Sequence, residues 1–365
     1  SICSGGYSLI LPFHGSNPKA LYEAYQMEKP ELVIDFSVNI NPLGSLPSLQ
    51  TKWKDWQRLI YDYPDPEGSD LKKLIATKEN LHKNNVLLGN GGAELIAVLA
   101  NYFSKKRVGI VQPAFGEYER MAKAYECQLV HIVLPEEKWT DLSPVFEKLP
   151  FLDAIFLTNP NNPTGITYDE KQLHRLKEQC KKHRCYLIID EAFYDFTEGF
   201  TTSATNITTN EFVIILRSLT KMYAIAGLRL GYLLADHHLV QQLEKRLPYW
   251  NVNALALEVG KLCAKDDAYA HSTSSYIKKE RERIFRRLKR LGYKFSKSEV
   301  NYYLLRHPKL KSQNPLIIYL LKHGLVSRHT ENFRGLNGNW IRLAIKTKKE
   351  NERLLQYLHS FTKLF

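Results

Sequence analysis

The polar residues that close apolar runs are where this sequence could do chemistry. Asp190 ends the run Tyr186-Leu187-Ile188-Ile189 and precedes Glu191-Ala192-Phe193. A carboxylate at the end of a buried strand is costly unless it has a partner. A protonated pyridine nitrogen would be such a partner; a helix N-cap or a loop acid is the plain alternative. Ser218-Leu219-Thr220-Lys221 follows the run Phe212 to Leu216, and Arg229 comes eight residues later in Gly227-Leu228-Arg229-Leu230-Gly231. Two hydroxyls and a lysine suit a phosphate and an aldehyde, and an arginine offers a fixed fork of donors for phosphate oxygens. Gly89-Asn90-Gly91-Gly92-Ala93-Glu94 closes one apolar run and opens a helical pattern. Its free N–H groups would attract a phosphate, or it is an ordinary strand-to-helix turn. Asn159-Pro160-Asn161-Asn162-Pro163-Thr164-Gly165 reads as a rigid turn that could aim an asparagine amide at a ligand hydroxyl.

These residues need a scaffold. Apolar runs at 86–88, 107–111, 128–134, 154–158, 185–190, 212–217 and 231–235 predict buried strands, with helical periodicity at 93–103, 115–125 and 168–182. Strands alternating with helices predict an α/β fold, a mostly parallel sheet covered on both faces. Ligands of such sheets sit beyond the carboxyl ends of the strands, where the polar clusters fall. Past residue 238 the pattern changes to helices at 238–246 and 255–291, a strand at 301–305, a helix at 314–323 and a strand at 340–345. We therefore expect an N-terminal arm and small-domain segment (1–45), a large domain (46–254), and a linker helix with a smaller C-terminal α/β domain (255–365).

Length and composition agree with that plan. A chain of 365 residues, 44% hydrophobic and 24% charged, can bury a large core and divide into two domains. No apolar run approaches the roughly 20 residues that span a bilayer, and the start SICSGGYSLILPF has no basic leader, so a cytoplasmic protein without a membrane partner is expected. Cys3, Cys127, Cys180, Cys185 and Cys263 are scattered, with no metal-site spacing, and are read as reduced thiols with no metal. The net charge of +13 could signal nucleic acid, but the densest basic run, 278–290, mixes both signs and keeps Ile284, Phe285 and Leu288 at helical spacing. That is an amphipathic helix with a solvated face; no nucleic-acid partner is expected.

The strings NPNNPTG, DEAFYDF and SLTK followed by GLRLGY, in this order, resemble those of the aminotransferase-like (fold type I) enzymes that use pyridoxal 5′-phosphate (PLP). The resemblance covers nearly the whole chain and implies the aspartate-aminotransferase-like fold. Position by position, it implies that Lys221 carries PLP as a Schiff base and later moves protons, that Asp190 pairs with the pyridine nitrogen, and that Asn162 binds the ring hydroxyl oxygen. Gly92, Ala93, Ser218, Thr220 and Arg229 would hold the cofactor phosphate, and Phe115 of PAFGEY would stack on the ring. Tyr63 of YPDPEG looks like the tyrosine that reaches the cofactor phosphate of a second subunit, which implies a homodimer with shared sites. Arg342 looks like the arginine that grips a substrate carboxylate.

Within this fold four strings are most similar to the threonine-phosphate decarboxylases of cobalamin synthesis, near relatives of the histidinol-phosphate aminotransferases. They are His14-Gly15, Asp35-Phe36-Ser37-Val38-Asn39-Ile40-Asn41-Pro42-Leu43-Gly44, the stretch Leu216 to Leu233, and Trp250-Asn251-Val252-Asn253-Ala254-Leu255-Ala256. Phe193 fits too, since the aminotransferases usually carry a tyrosine there. The likeness implies decarboxylation of an O-phospho amino acid, L-threonine O-3-phosphate first among them, with transamination as the alternative. His14, Asn39, Asn162, Arg328 and Arg342 become the candidate substrate-binding residues. The chain departs from the pattern at Ser16, at Gly92-Ala93, which leaves only backbone donors, and at Arg334, where proline is usual.

Overall fold

The computed structural model describes residues 9–365. Cys3 and the rest of the stretch up to residue 8, on which the expectation of no leader rests, lie outside the described residues. In chain order the strands are β1 (Ile34–Asp35), β2 (Val86–Asn90), β3 (Arg107–Gln112), β4 (Gln128–Val133), β5 (Ala154–Thr158), β6 (Tyr186–Asp190), β7 (Val213–Ser218), β8 (Leu230–Leu234), β9 (Lys294–Phe295), β10 (Tyr302–Arg306), β11 (Leu325–Val326), β12 (Arg328–His329) and β13 (Ile341–Ala344).

A seven-stranded sheet runs β2-β8-β7-β6-β5-β3-β4. Its pairs are parallel except those of β8, which is antiparallel to both β2 and β7. Strands β5, β7 and β8 are buried along their whole length. That is why they read as unbroken apolar runs rather than as alternating ones. Helices Gly91–Tyr102, Glu117–Ala124 and Glu170–Lys182 fill three of the connections.

The C-terminal part builds a four-stranded sheet, β12-β13-β10-β9. The N-terminal segment joins it, because β1 pairs in parallel with β11 and Ala344 N–H donates to Phe36 O at 2.8 Å. The helix expected over 255–291 is two helices, Ala254–Ala264 and Ala268–Leu291. Asp266 makes the break: its carboxylate accepts from Tyr269 N at 3.0 Å, from Ala270 N at 3.2 Å and from the Tyr223 hydroxyl at 2.9 Å. It starts the second helix while tying the corner to the large sheet. The basic run at 278–290 lies on that second helix. Ile284 and Leu288 are buried there, Phe285 stacks on Phe295 at 4.5 Å, and Arg283 pairs with Glu280 and Glu352. Among the described residues no helix is long and apolar enough to cross a membrane, and no group of three or more His, Cys, Asp or Glu side chains could hold a metal ion.

Candidate active site

Sheet register gathers the polar residues at one edge. Thr158, Asp190 and Leu216 are paired neighbours at the carboxyl ends of β5, β6 and β7. Ser218, Gly231 and Gly89 form a second row across β7, β8 and β2. Three residues beyond Ser218, Lys221 sits in a turn held from outside by Asn41, whose N–H donates to Lys221 O at 2.9 Å and whose Nδ2 donates to Met222 O at 2.8 Å.

Asp190 is enclosed. Tyr118 donates its hydroxyl proton to Oδ2, and Ala192 N–H donates to Oδ1 at 3.0 Å. Burial pushes the carboxyl up from its ordinary range; the Tyr118 hydrogen bond, the Ala192 N–H and the Lys221 charge work against that rise. Lys221 is depressed, first by burial and further by Arg229, with Asp190 opposing. Its Nζ lies 3.3 Å from Thr220 Oγ1 and 6.0 Å from the centre of the Phe193 ring.

A cradle lies beside the lysine. Gly91 starts the helix Gly91–Tyr102, so the N–H groups of Gly92 and Ala93 fall in the first turn, where no carbonyl of the helix reaches them. The Ser218 and Thr220 hydroxyls are 2.8 Å apart. Arg229, held at φ 56°, turns back over Gly91; a Cβ at Gly91 would come within 2.7 Å of its guanidinium. Free amides, two hydroxyls and a guanidinium converge there, a donor set made for a phosphate monoester. With Lys221 for an aldehyde and Asp190 for a ring nitrogen, the residues fit PLP.

The other expected residues fall into two groups. Arg342 donates to Asn162 Oδ1 at 2.6 Å and to Ser37 O at 2.9 Å, while its buried Nε has no partner. Because Asn162 spends its oxygen on Arg342, its Nδ2 remains as the donor. Arg328 donates to His329 O at 2.5 Å and to Phe13 O at 2.7 Å. Among the described residues every hydrogen bond of these two buried guanidiniums ends on an uncharged oxygen. Burial lowers both, Arg342 to about 10 and Arg328 to about 9, the latter also through the Arg342 charge. Asn39 is buried with its Oδ1 unpartnered. His14 is half-exposed, 3.1 Å from Glu117 and with its ring 5.6 Å from that of Phe115. Tyr63 stands apart from this group: it is 84% exposed and packs on Trp250 at 5.0 Å.

Some members of the constellation were missed in the sequence. Tyr118 lies one helical turn after Phe115 within PAFGEY, and Asn41 lies within the quoted string around Asn39. Only proximity to a motif marked them. His329, next to Arg328, donates from Nε2 to Pro12 O at 2.6 Å, and burial with the Arg328 charge lowers it to about 4, so it is the neutral donor there.

The family model for class I and class II aminotransferases matches residues 31–358. The chain belongs to this family. Threonine-phosphate decarboxylase of Salmonella typhimurium is 34% identical over 335 residues, covering 91% of this chain and 92% of the relative. Histidinol-phosphate aminotransferase of Pyrococcus furiosus is 30% identical, covering 93% and 96%. The solved histidinol-phosphate aminotransferase of Clostridium acetobutylicum superposes with a TM-score of 0.86 at 29% identity, covering 90% of this chain and 99% of that one. The fold is that of the aspartate aminotransferases, also seen in the Thermus thermophilus enzyme with a TM-score of 0.79. Members of this family use PLP, and PLP is the cofactor of this enzyme.

Proposed function

We propose that this enzyme decarboxylates an O-phospho amino acid, with L-threonine O-3-phosphate as the substrate that fits best. The observation that carries the reading is the pair Arg328 and Arg342. Two buried guanidiniums side by side, bonded only to neutral oxygens, are a receptor for a substrate with two anionic groups. An O-phospho amino acid carries a carboxylate and a phosphate. The relatives named threonine-phosphate decarboxylase support the same class.

Lys221 would hold the cofactor's aldehyde carbon and Asp190 its ring nitrogen, with Asn162 Nδ2 as the donor to the ring hydroxyl oxygen. Gly92, Ala93, Ser218, Thr220 and Arg229 would bind the cofactor phosphate, and Phe115 would stack on the ring. Bound PLP supplies an electron sink for a bond broken at the substrate's α-carbon. Which bond breaks is chosen by orientation, and here the protein acts through the phosphate. Arg328, with His14 and Asn39 as further candidate contacts, would hold that remote group, and binding energy spent there would orient the carboxylate for loss. Loss of the carboxylate as CO₂ would leave the α-carbon in need of a proton, and Lys221 Nζ is the group that would deliver it. Phe193 fits this use: it is buried against Tyr302 at 4.8 Å and has no hydroxyl, so Asn162 alone serves the ring hydroxyl from this side.

The site is also shared between two copies of the chain in this reading. Tyr63 lies on a surface with exposed Tyr61, Ile60, Tyr249 and Trp250, an apolar patch that a second copy would cover. Its hydroxyl would reach the partner's cofactor phosphate.

The test is a product assay on the PLP-loaded enzyme with phosphothreonine, phosphoserine and histidinol phosphate in parallel. CO₂ release from phosphothreonine without any 2-oxo acid is the expected result. No CO₂, with glutamate formed from 2-oxoglutarate and histidinol phosphate, would overturn it in favour of transamination.

A further inference from the structure

Tyr118 has no role in the reading above, yet it makes the most enclosed contact that Asp190 has. Its ring lies flat on Phe156, centroids 4.9 Å apart at 21°, and edge-on to Phe115 at 5.9 Å, so the hydroxyl has one direction to point. That direction holds two oxygens: Asp190 Oδ2 and, at 3.1 Å, Thr158 Oγ1. Protons can be assigned by counting. An ionised carboxylate only accepts, so the single tyrosine proton goes to Asp190. Thr158 must then donate to Tyr118 Oη. The sheet fixes the triangle, since Thr158 and Asp190 are register partners on β5 and β6.

We propose that Tyr118, backed by Thr158, is the positioning residue that keeps Asp190 ionised and aimed at the cofactor's ring nitrogen. Burial alone pushes Asp190 towards the protonated form, and a protonated carboxyl cannot hold a pyridinium. The other groups near Asp190 do not replace this hydrogen bond. Lys221 is consumed in binding the cofactor aldehyde. Tyr302, from β10, turns its hydroxyl to Asn161 O at 2.8 Å, and Ala192 N–H occupies the opposite carboxylate oxygen. The aromatic position one turn after Phe115 thus has a use distinct from packing. The proposal rests on Asp190 as the ring-nitrogen partner and holds for decarboxylation and transamination alike.

The experiment reads cofactor binding, not turnover: apoenzyme is titrated with PLP across pH for the parent, Tyr118→Phe, Thr158→Val, the double variant and Asp190→Asn. Loss of a hydrogen bond to a charged group corresponds to about a tenfold rise in the PLP dissociation constant for Tyr118→Phe. A hydrogen bond to the ionised form lowers a carboxyl's pKa, so its loss raises it. The pH below which PLP affinity collapses should therefore move upward in Tyr118→Phe. Thr158→Val should shift it less, and not at all when Tyr118 is already Phe. An unchanged affinity and pH edge in Tyr118→Phe sinks the proposal, as does a Thr158→Val effect that persists at full size in the double variant. Unaltered binding in Asp190→Asn would overturn both this role and that of Asp190 itself.

Discussion

Arg328 and Arg342 stand directly opposite each other across β12 and β13, two guanidiniums at one register position. Like charges so placed repel, and the pair is kept in the fold with only neutral partners, so an anion should relieve it. Phosphate or phosphothreonine should raise the melting temperature well beyond the effect of equal ionic strength of chloride. Arg328→Gln should abolish most of that gain. The pH dependence has a definite sign. A base with a lowered pKa carries its charge below that value and loses it above, so KM for a phosphorylated substrate should rise as pH climbs past about 9, the region to which Arg328 is lowered. Bound anion raises that pKa, so the rise begins near this point and levels off only at higher pH. A profile flat through it would contradict the anchor role of Arg328.

Gly91 and Arg229 give a second test. Gly91 has φ 75°, and a methyl there would meet the Arg229 guanidinium at 2.7 Å. Gly91→Ala combines a left-handed backbone strain of about 1–2 kcal/mol with displacement of a phosphate ligand. The expected outcome is PLP affinity reduced at least severalfold with turnover at saturating cofactor reduced less. Equilibrium dialysis of PLP against the variant apoenzyme measures it.

What the sequence disclosed and what it hid divide along a physical line. The inner strands of the large sheet were legible because both faces are buried, which writes them as continuous apolar runs, as in Ile155-Phe156-Leu157 and Ile214-Ile215-Leu216. The edge polar residues were legible because phosphate and ring-nitrogen chemistry needs particular residue types. The break at Asp266 was hidden, since apolar periodicity continues on both sides and only a side-chain cap divides the helices. Tyr118 and Asn41 were hidden for another reason: each acts through a contact with a residue distant in sequence, 72 positions away for Tyr118 and Asp190. The short strands β9, β11 and β12 were hidden because two residues carry no period.

Arg217 supplies a stability prediction. It is 1% exposed, bonded to Glu191 at 3.0 Å, Glu79 at 2.7 Å and Thr202 at 2.8 Å, with its guanidinium 3.7 Å over the Tyr194 ring. Glu191 is fully buried as well. Arg217→Met leaves that carboxylate without its cation, a loss of about 3–5 kcal/mol for a broken buried pair. Denaturant unfolding should show the loss. Arg217→Met together with Glu191→Gln should recover part of it, because the fully buried carboxylate is then neutral and only Glu79, nearer the surface, is left without its cation. If Arg217→Met unfolds at the parental denaturant concentration, the network is ornamental to stability.

The proposed sharing of the site makes the most direct prediction about assembly. Lys221→Ala removes the residue proposed to carry the cofactor within its own chain. Tyr63→Ala removes a hydroxyl that, in the proposed dimer, serves the other chain's cofactor. Each homodimer should then be impaired at both sites. Mixing the two chains under exchange conditions gives heterodimers in which one site lacks both residues and the other has both. Random pairing makes half the dimers mixed, each with one intact site of two, so activity should return to about a quarter of the parental value in a two-fold symmetric pair. An affinity tag on one of the two chains, with capture of the untagged chain, reports whether exchange has occurred. Exchange without recovered activity would mean that Tyr63 serves its own chain or none, and the exposed aromatic surface around it would need another occupant.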